Sequence, residues 1–214
     1  MTRDLAAAVG SMLLVAALAG CAGLAPDKPA RATLYDFGPG VTTALPAREQ
    51  PALPSLVLAD IEASGALDGS AVLYRLGYAN PNELRPYARA RWSAPPPQLI
   101  RQRLRQQLAR ERAVLDPGDS AALAREAGAA PRVLRLDLEE FSQVFESQAQ
   151  SWGLLRLRAT VMDNTPAGEK LLAQRSFVVR QPAPTPDAAG GVRALSAATD
   201  AAAEQIGEWL AKLR

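Results

Sequence analysis

The 214-residue sequence contains no histidine. That absence removes Ser-His and Cys-His activation of a nucleophile, histidine ligation of a metal, and the usual proton shuttle near neutral pH. A single cysteine excludes an intramolecular disulfide and a cysteine cluster for a metal. The chain has no Gly-rich phosphate loop and no internal repeat. Neither sign of charge dominates. Twenty-four Lys and Arg against 22 Asp and Glu leave +2, and the basic residues are not blocked together, so nucleic acid is not an expected partner. Carboxylate-pair chemistry survives in principle. Its nearest instance, Asp137 with Glu139, lies beside arginines on an expected solvent face. An enzyme is not expected, and neither is a cofactor or a metal.

The one cysteine has an informative position. Arg3 is followed by an apolar segment from Leu5 to Ala19 and then by Leu18-Ala19-Gly20-Cys21. Fifteen residues fall short of the roughly 20 that a membrane-crossing helix needs, which suits a cleaved signal. Small side chains directly before a thiol fit a lipobox, in which Cys21 becomes the acylated amino terminus. Reading Cys21 as a buried structural thiol leaves its place after a signal-like run unexplained. Several acyl chains, at about 0.8 kcal/mol per buried methylene, would hold the protein on its membrane. Ala22 resembles the outer-membrane form of the lipoprotein sorting rule, in which Asp at that place favours inner-membrane retention. The expected location is the periplasmic face of the outer membrane. The expected organisation is a signal peptide over 1–20, a lipidated Cys and flexible tether over 21–33, and one α+β domain over 34–214.

After an Ala, Gly and Pro-rich tether, Leu34–Phe37 alternates like a short strand, and a Pro-rich loop runs from Gly38 to Pro54. Ser55–Ile61 and Ala71–Leu76 read as strands that pair across a turn at Asp68-Gly69. Asn80-Pro81-Asn82 reads as a further turn before a short strand over Leu84–Ala88. Prolines 95–97 open a helix from about Pro97 to Glu111, with Ile100, Leu104 and Leu108 as its core stripe and Arg101, Arg105 and Arg112 along one flank. A shorter helix is expected over Ser120–Ala127, ended by Gly128.

Pro131 opens the clearest strand pattern. Leu134, Leu136 and Leu138 alternate with Arg135, Asp137 and Glu139, and Leu155, Leu157, Ala159 and Val161 alternate with Arg156, Arg158 and Thr160. A hairpin turning at Ser147-Gln148 places positions summing to 295 opposite one another, so that Glu139 meets Arg156 and Asp137 meets Arg158. A third strand over Lys170–Val179 completes a meander. A long helix beginning between Asp187 and Val192 covers the sheet with Leu195, Ala198, Ala202, Ile206, Trp209 and Leu213. The fold class is α+β: an antiparallel or mixed sheet with a three-strand C-terminal meander, packed by an amphipathic mid-chain helix and a long C-terminal helix.

The order Val72-Leu73-Tyr74-Arg75, Leu84 to Tyr87, Arg91-Trp92-Ser93-Ala94-Pro95-Pro96 and then a Leu-rich helix resembles the ABC-type transport auxiliary lipoproteins, a family that includes paraquat-inducible protein C. The lipobox and the hairpin region after Pro131 extend the resemblance over most of the mature chain. It implies a non-enzymatic lipoprotein that docks the MCE-domain (MlaD-like) subunit of an ABC lipid transport system, beside permease and ATPase subunits. A homo-oligomeric collar is compatible with that role. The alternative is a structural envelope lipoprotein that helps another membrane complex assemble.

Tyr87 and Trp92 are the candidate partner anchors, because aromatics and Arg dominate interface energetics; the competing reading of Trp92 is core packing at a strand-to-helix junction. Arg101, Arg105 and Arg112 are candidates for anionic head groups or an acidic partner, against a solvated helix flank. Asp200, Glu204 and Glu208 form an acidic ridge on the last helix, faced by water or by a basic partner.

Overall fold

The computed structural model describes residues 31–40, 53–63, 65–118, 130–165 and 168–213. Cys21, the signal and tether segments, and the expected helix over 120–127 lie outside them. Residues Ala32–Arg214 form one compact unit, and every element below belongs to it. Eight strands make one mixed sheet with two helices, as an α+β fold requires.

In chain order the elements are β1 (Thr33–Tyr35), β2 (Leu56–Ala63), a 3-10 turn (Gly65–Asp68), β3 (Ala71–Leu76), β4 (Asn80–Trp92), α1 (Pro96–Leu108), β5 (Val114–Leu115), β6 (Arg132–Phe145), β7 (Ser151–Thr165), β8 (Gly168–Pro182) and α2 (Ala188–Lys212). Strand β6 is the axis. Along one edge it pairs antiparallel with β7, which pairs antiparallel with β8, giving the expected meander. Along its other edge lie two parallel strands in tandem: β2 against residues 132–138 and β3 against residues 143–145.

That tandem corrects the expected β2–β3 hairpin. The two strands do not pair with each other, and the 3-10 turn steps the chain forward along β6 without reversing it. Leu56, Val57 and Leu58 are buried in succession, the unbroken apolar pattern of a strand covered on both faces, which suits a parallel neighbour. The expected turn at Asn80-Pro81-Asn82 is also corrected. The turn is at 77–79, closed by the Ala79 N–H donating to the Leu76 carbonyl, and β4 begins at Asn80. Pro81 and Pro86 are tolerated because β4 meets β1 only from Ala90 onward, leaving its earlier outer edge without a partner strand among the described residues.

The hairpin register holds with one modification. Pairs sum to 295 from Val133 through Leu138, then shift by one at a bulge at Glu139, so that Glu140 opposes Arg156. The turn tightens around Ser147, whose hydroxyl accepts from the Ala149 and Gln150 N–H groups.

Both helices share one core on the inner face of the sheet. Ile100, Leu104 and Leu108 of α1 meet Leu134, Leu136, Leu155, Leu157 and Leu195 in a single buried cluster. Helix α2 starts at Asp187, whose carboxylate accepts from the Gly190 N–H at 2.7 Å. The outer face of the meander carries a ladder of ion pairs, including Arg156 to Glu139 at 3.0 Å and Arg158 to Asp137 at 3.1 Å.

Candidate partner-facing surfaces

The five candidate residues separate into four environments. Trp92 ends β4 at 2% exposure, edge-on to Phe37 and tilted against Phe141, each at 5.5 Å between ring centroids. It is a core residue at the strand-to-helix junction, the packing alternative to a surface anchor. Tyr87 stacks on Tyr74 at 4.5 Å and donates its hydroxyl to Gln143 Oε1 at 2.8 Å. Burial, aided by Tyr74 and Asp187, pushes its phenol well above the ordinary tyrosine range, so it remains a donor.

The arginine flank divides. Arg101 donates to the carbonyls of Leu58 and Ala59 and to Asp116 Oδ1 at 2.6 Å, with Asp60 at 3.2 Å. Strand β2 shifts register between Leu58 and Ile61, so this guanidinium supplies hydrogen bonds at an irregular part of the ladder. Arg105 also binds Asp116 and reaches the Val114 carbonyl. These contacts hold the Asp116 carboxyl below its usual range, with the Arg101 hydrogen bond as the largest cause. Arg101 and Arg105 are therefore committed to clamping α1 onto β2 and β5.

Arg112 differs. Helix α1 stops at Leu108 instead of continuing to Glu111, and the following turn folds Arg112 inward to 9% exposure. Among the described residues its side chain makes no hydrogen bond and no ion pair. Burial lowers its pKa. The acidic ridge divides as well: Asp200 pairs with Arg103 at 3.2 Å, and burial raises its pKa, whereas Glu204 and Glu208 have no salt-bridge partner among the described residues.

Two concave regions matter. A groove of about 550 Å³ runs between the end of α1 and α2, lined in part by Leu108, Arg112, Glu204, Gly207 and Glu208. A cleft of about 460 Å³ beside the β6–β7 turn is lined in part by Glu146, Trp152, Arg180 and Pro182. The Arg180 guanidinium lies 5.5 Å from the Trp152 ring centroid, and the buried indole N–H of Trp152 has no acceptor among the described residues. Among the described residues no group of three or more His, Cys, Asp or Glu is placed to hold a metal, and no helix is long and apolar enough to cross a membrane.

The family of ABC-type transport auxiliary lipoprotein components matches residues 35–207. The chain belongs to that family. A solved protein from Xanthomonas campestris is similar to this auxiliary lipoprotein with a TM-score of 0.65 at 19% identity, over 83% of this chain and 94% of that one. A second, uncharacterised protein gives 0.61 at 12% identity, over 84% and 99%. At those identities the likeness establishes the fold alone. No curated protein matches.

An auxiliary lipoprotein of this shape also offers an edge. Among the described residues strand β8 pairs only with β7 over its 15 residues, and it exposes Leu171 at 55% and Val178 at 56%. A long unpaired edge with exposed apolar side chains is a template for strand addition. The adjacent leucines 171 and 172 break the alternation of β8, the sequence signal that could have marked this edge.

Proposed function

We propose that this protein is a non-enzymatic docking component of an ABC-type MCE lipid transport system. Acylated Cys21 would hold it at the periplasmic face of the outer membrane, with the tether beyond it allowing the folded unit to reach partners. The family match over residues 35–207 carries the reading. The lipobox at Cys21 and the open β8 edge support it. Anchoring raises the local concentration of the folded unit near any assembly that reaches the same membrane, and an open edge gives a partner strand main-chain hydrogen bonds. The partners are the MCE-domain, permease and ATPase subunits.

Crosslinking in cells, followed by purification of the tagged chain and identification of its partners, tests this. The expected result is co-purification of those three subunits, with Cys21→Ser lost from the outer-membrane fraction. Recovery of an unrelated envelope complex, together with an intact lipid barrier in a deletion strain, would replace this reading with the structural one.

A further inference from the structure

We infer that β8 takes up an extended acidic segment of a partner protein by strand addition along its free edge, which rests on the docking reading and gives it a surface. Two carboxylates five residues apart meet Arg175 and Arg180, and an apolar side chain meets Val178. Of the other outer strands, β1 and β5 have three and two residues, and the outer edge of β4 carries Pro81 and Pro86. Strand β8 runs for 15 residues with its one proline, Pro182, at the very end, and among the described residues only β7 pairs with it. Its outward main-chain donors and acceptors are half of a ladder awaiting the other half.

The side chains along that edge select the occupant. Opposite residues in a ladder share a face, so Arg175, opposite the buried Ala159, lies on the core-facing side. Arg180 and Val178, opposite Leu154 and Arg156, lie on the outer side. The Arg175 guanidinium is 5.0 Å from the centroid of Phe177, and that of Arg180 is 5.5 Å from the centroid of Trp152. These stacks hold two cations beside the edge on opposite faces. Among the described residues neither side chain makes a hydrogen bond or an ion pair, and neither does that of Lys170. The single acid of the strand, Glu169, is bound by Arg135 at 2.7 Å.

A second copy is a poor occupant. Lys170, Arg175 and Arg180 against Glu169 leave each β8 with two excess positive charges, and pairing two copies would set those charges on adjoining strands. A partner strand with carboxylates replaces that repulsion by attraction. Because the two arginines flank opposite faces, the acids must stand at an odd separation, which alone places them on opposite faces of the added strand. An apolar residue two positions from the acid that meets Arg180 then covers Val178, which is 56% exposed. Main-chain hydrogen bonds supply the affinity, and these three side chains supply the choice of sequence.

The test titrates the full-length protein in detergent with end-blocked, mostly threonine peptides carrying an uncharged dye, followed by fluorescence anisotropy. The parent peptide has two glutamates five positions apart and a valine two positions inside one of them. Its reversed sequence reports whether the strand adds parallel or antiparallel, and binding of either upholds the site. Lysines in place of the glutamates are expected to weaken binding at least about tenfold, and glutamates four positions apart at least about threefold. N-methylation of one alternate set of amides is expected to abolish binding, and of the other set to leave it intact. Arg175→Glu with Arg180→Glu is expected to reverse the preference towards the lysine peptide, a gain that also reports a folded variant.

Equal binding of glutamate and lysine peptides overturns the acidic assignment, and tolerance of both N-methylated sets overturns strand addition. A charge-reversed variant that does not prefer lysine overturns the role of the two arginines. Copies carrying Val178→Cys that link to each other by disulfide, while the unsubstituted protein does not, would assign the edge to self-association and overturn the inference. None of these readouts needs transport subunits. If the subunits co-purify and the peptides fail, docking uses another surface and this inference falls alone; if the peptides bind and no subunit co-purifies, the edge stands and the docking reading falls.

Discussion

The two halves of β6 pair with the same strand, β7, yet they are built on different chemistry. From Leu134 to Leu138 the strand separates leucines at 0–3% exposure from charged residues on the other face. Beyond the bulge at Glu139 it buries Glu140, Ser142 and Gln143. Glu140 meets Arg75 at 3.0 Å and accepts from the Ser142 hydroxyl at 2.7 Å. Gln143 accepts from Tyr87 and donates to Ser151 at 2.8 Å. One half is fixed by packing, the other by a network that joins β6 to Arg75 of β3, Tyr87 of β4 and Ser151 of β7.

Removing side-chain volume from the first half should have the largest effect. Leu136→Ala leaves a cavity in the core that both helices share and is expected to cost about 2–5 kcal/mol by chemical denaturation. Adding volume where α2 approaches the second half comes next. A Cβ on Gly153 would lie 2.7 Å from the backbone of Ala194 and Leu195, so Gly153→Ala requires the helix to move, at about 1–3 kcal/mol. Gly191 keeps a similarly close approach to the Gln143 side chain. Glu140→Gln should cost about 1–3 kcal/mol, because Arg75 loses its partner in a partly buried site. A cost below that of an exposed pair would break the distinction between the halves.

Helix α2 docks its first turn on the polar half, and this gives a pH test. The carboxyl of Asp187 is held below the ordinary value of 3.8, mainly by the Gly190 N–H and then by the Thr185 hydroxyl. A depressed folded pKa means that the stabilisation is present above the unfolded value and is lost as pH falls through the folded one. Asp187→Ala should cost about 1 kcal/mol near neutral pH. Asp187→Asn keeps a capping oxygen and should flatten the loss of stability below about pH 4.

The same contrast explains which features could be read from the chain. Alternation locates β6 and β7 because the burial of each leucine depends only on which side of the sheet it faces. The pairs summing to 295 follow from that alternation and stop being correct where the bulge intervenes. Burial of Glu140 and Gln143 depends on Arg75, Tyr87 and Ser151, whose proximity no local pattern encodes. The sequence suggests a β2–β3 hairpin because a short link between two strands looks like one, whereas pairing with β6 sets both along one edge. Arg101, Arg105 and Arg112 show the same limit. Helical spacing placed them on a flank, but the ends of α1 and the turn after Leu108 decide that two clamp strands and one is buried beside a groove.

The smallest expected effect is also the sharpest control. Glu139 sits at the bulge on the outer face, next to Glu140 in sequence, and contacts Arg156 at 3.0 Å and Arg158 at 3.4 Å. It has two cationic partners where Glu140 has one, so a count of ion pairs would make Glu139 the more important residue. Solvent reverses that ranking: Arg156 is nearly half exposed and regains water when the carboxylate is lost. Glu139→Gln is therefore expected to change stability by less than about 0.5 kcal/mol, and the small difference should shrink in high salt. If Glu139→Gln proves as costly as Glu140→Gln, then the number of partners and not their separation from water sets the energetics of β6.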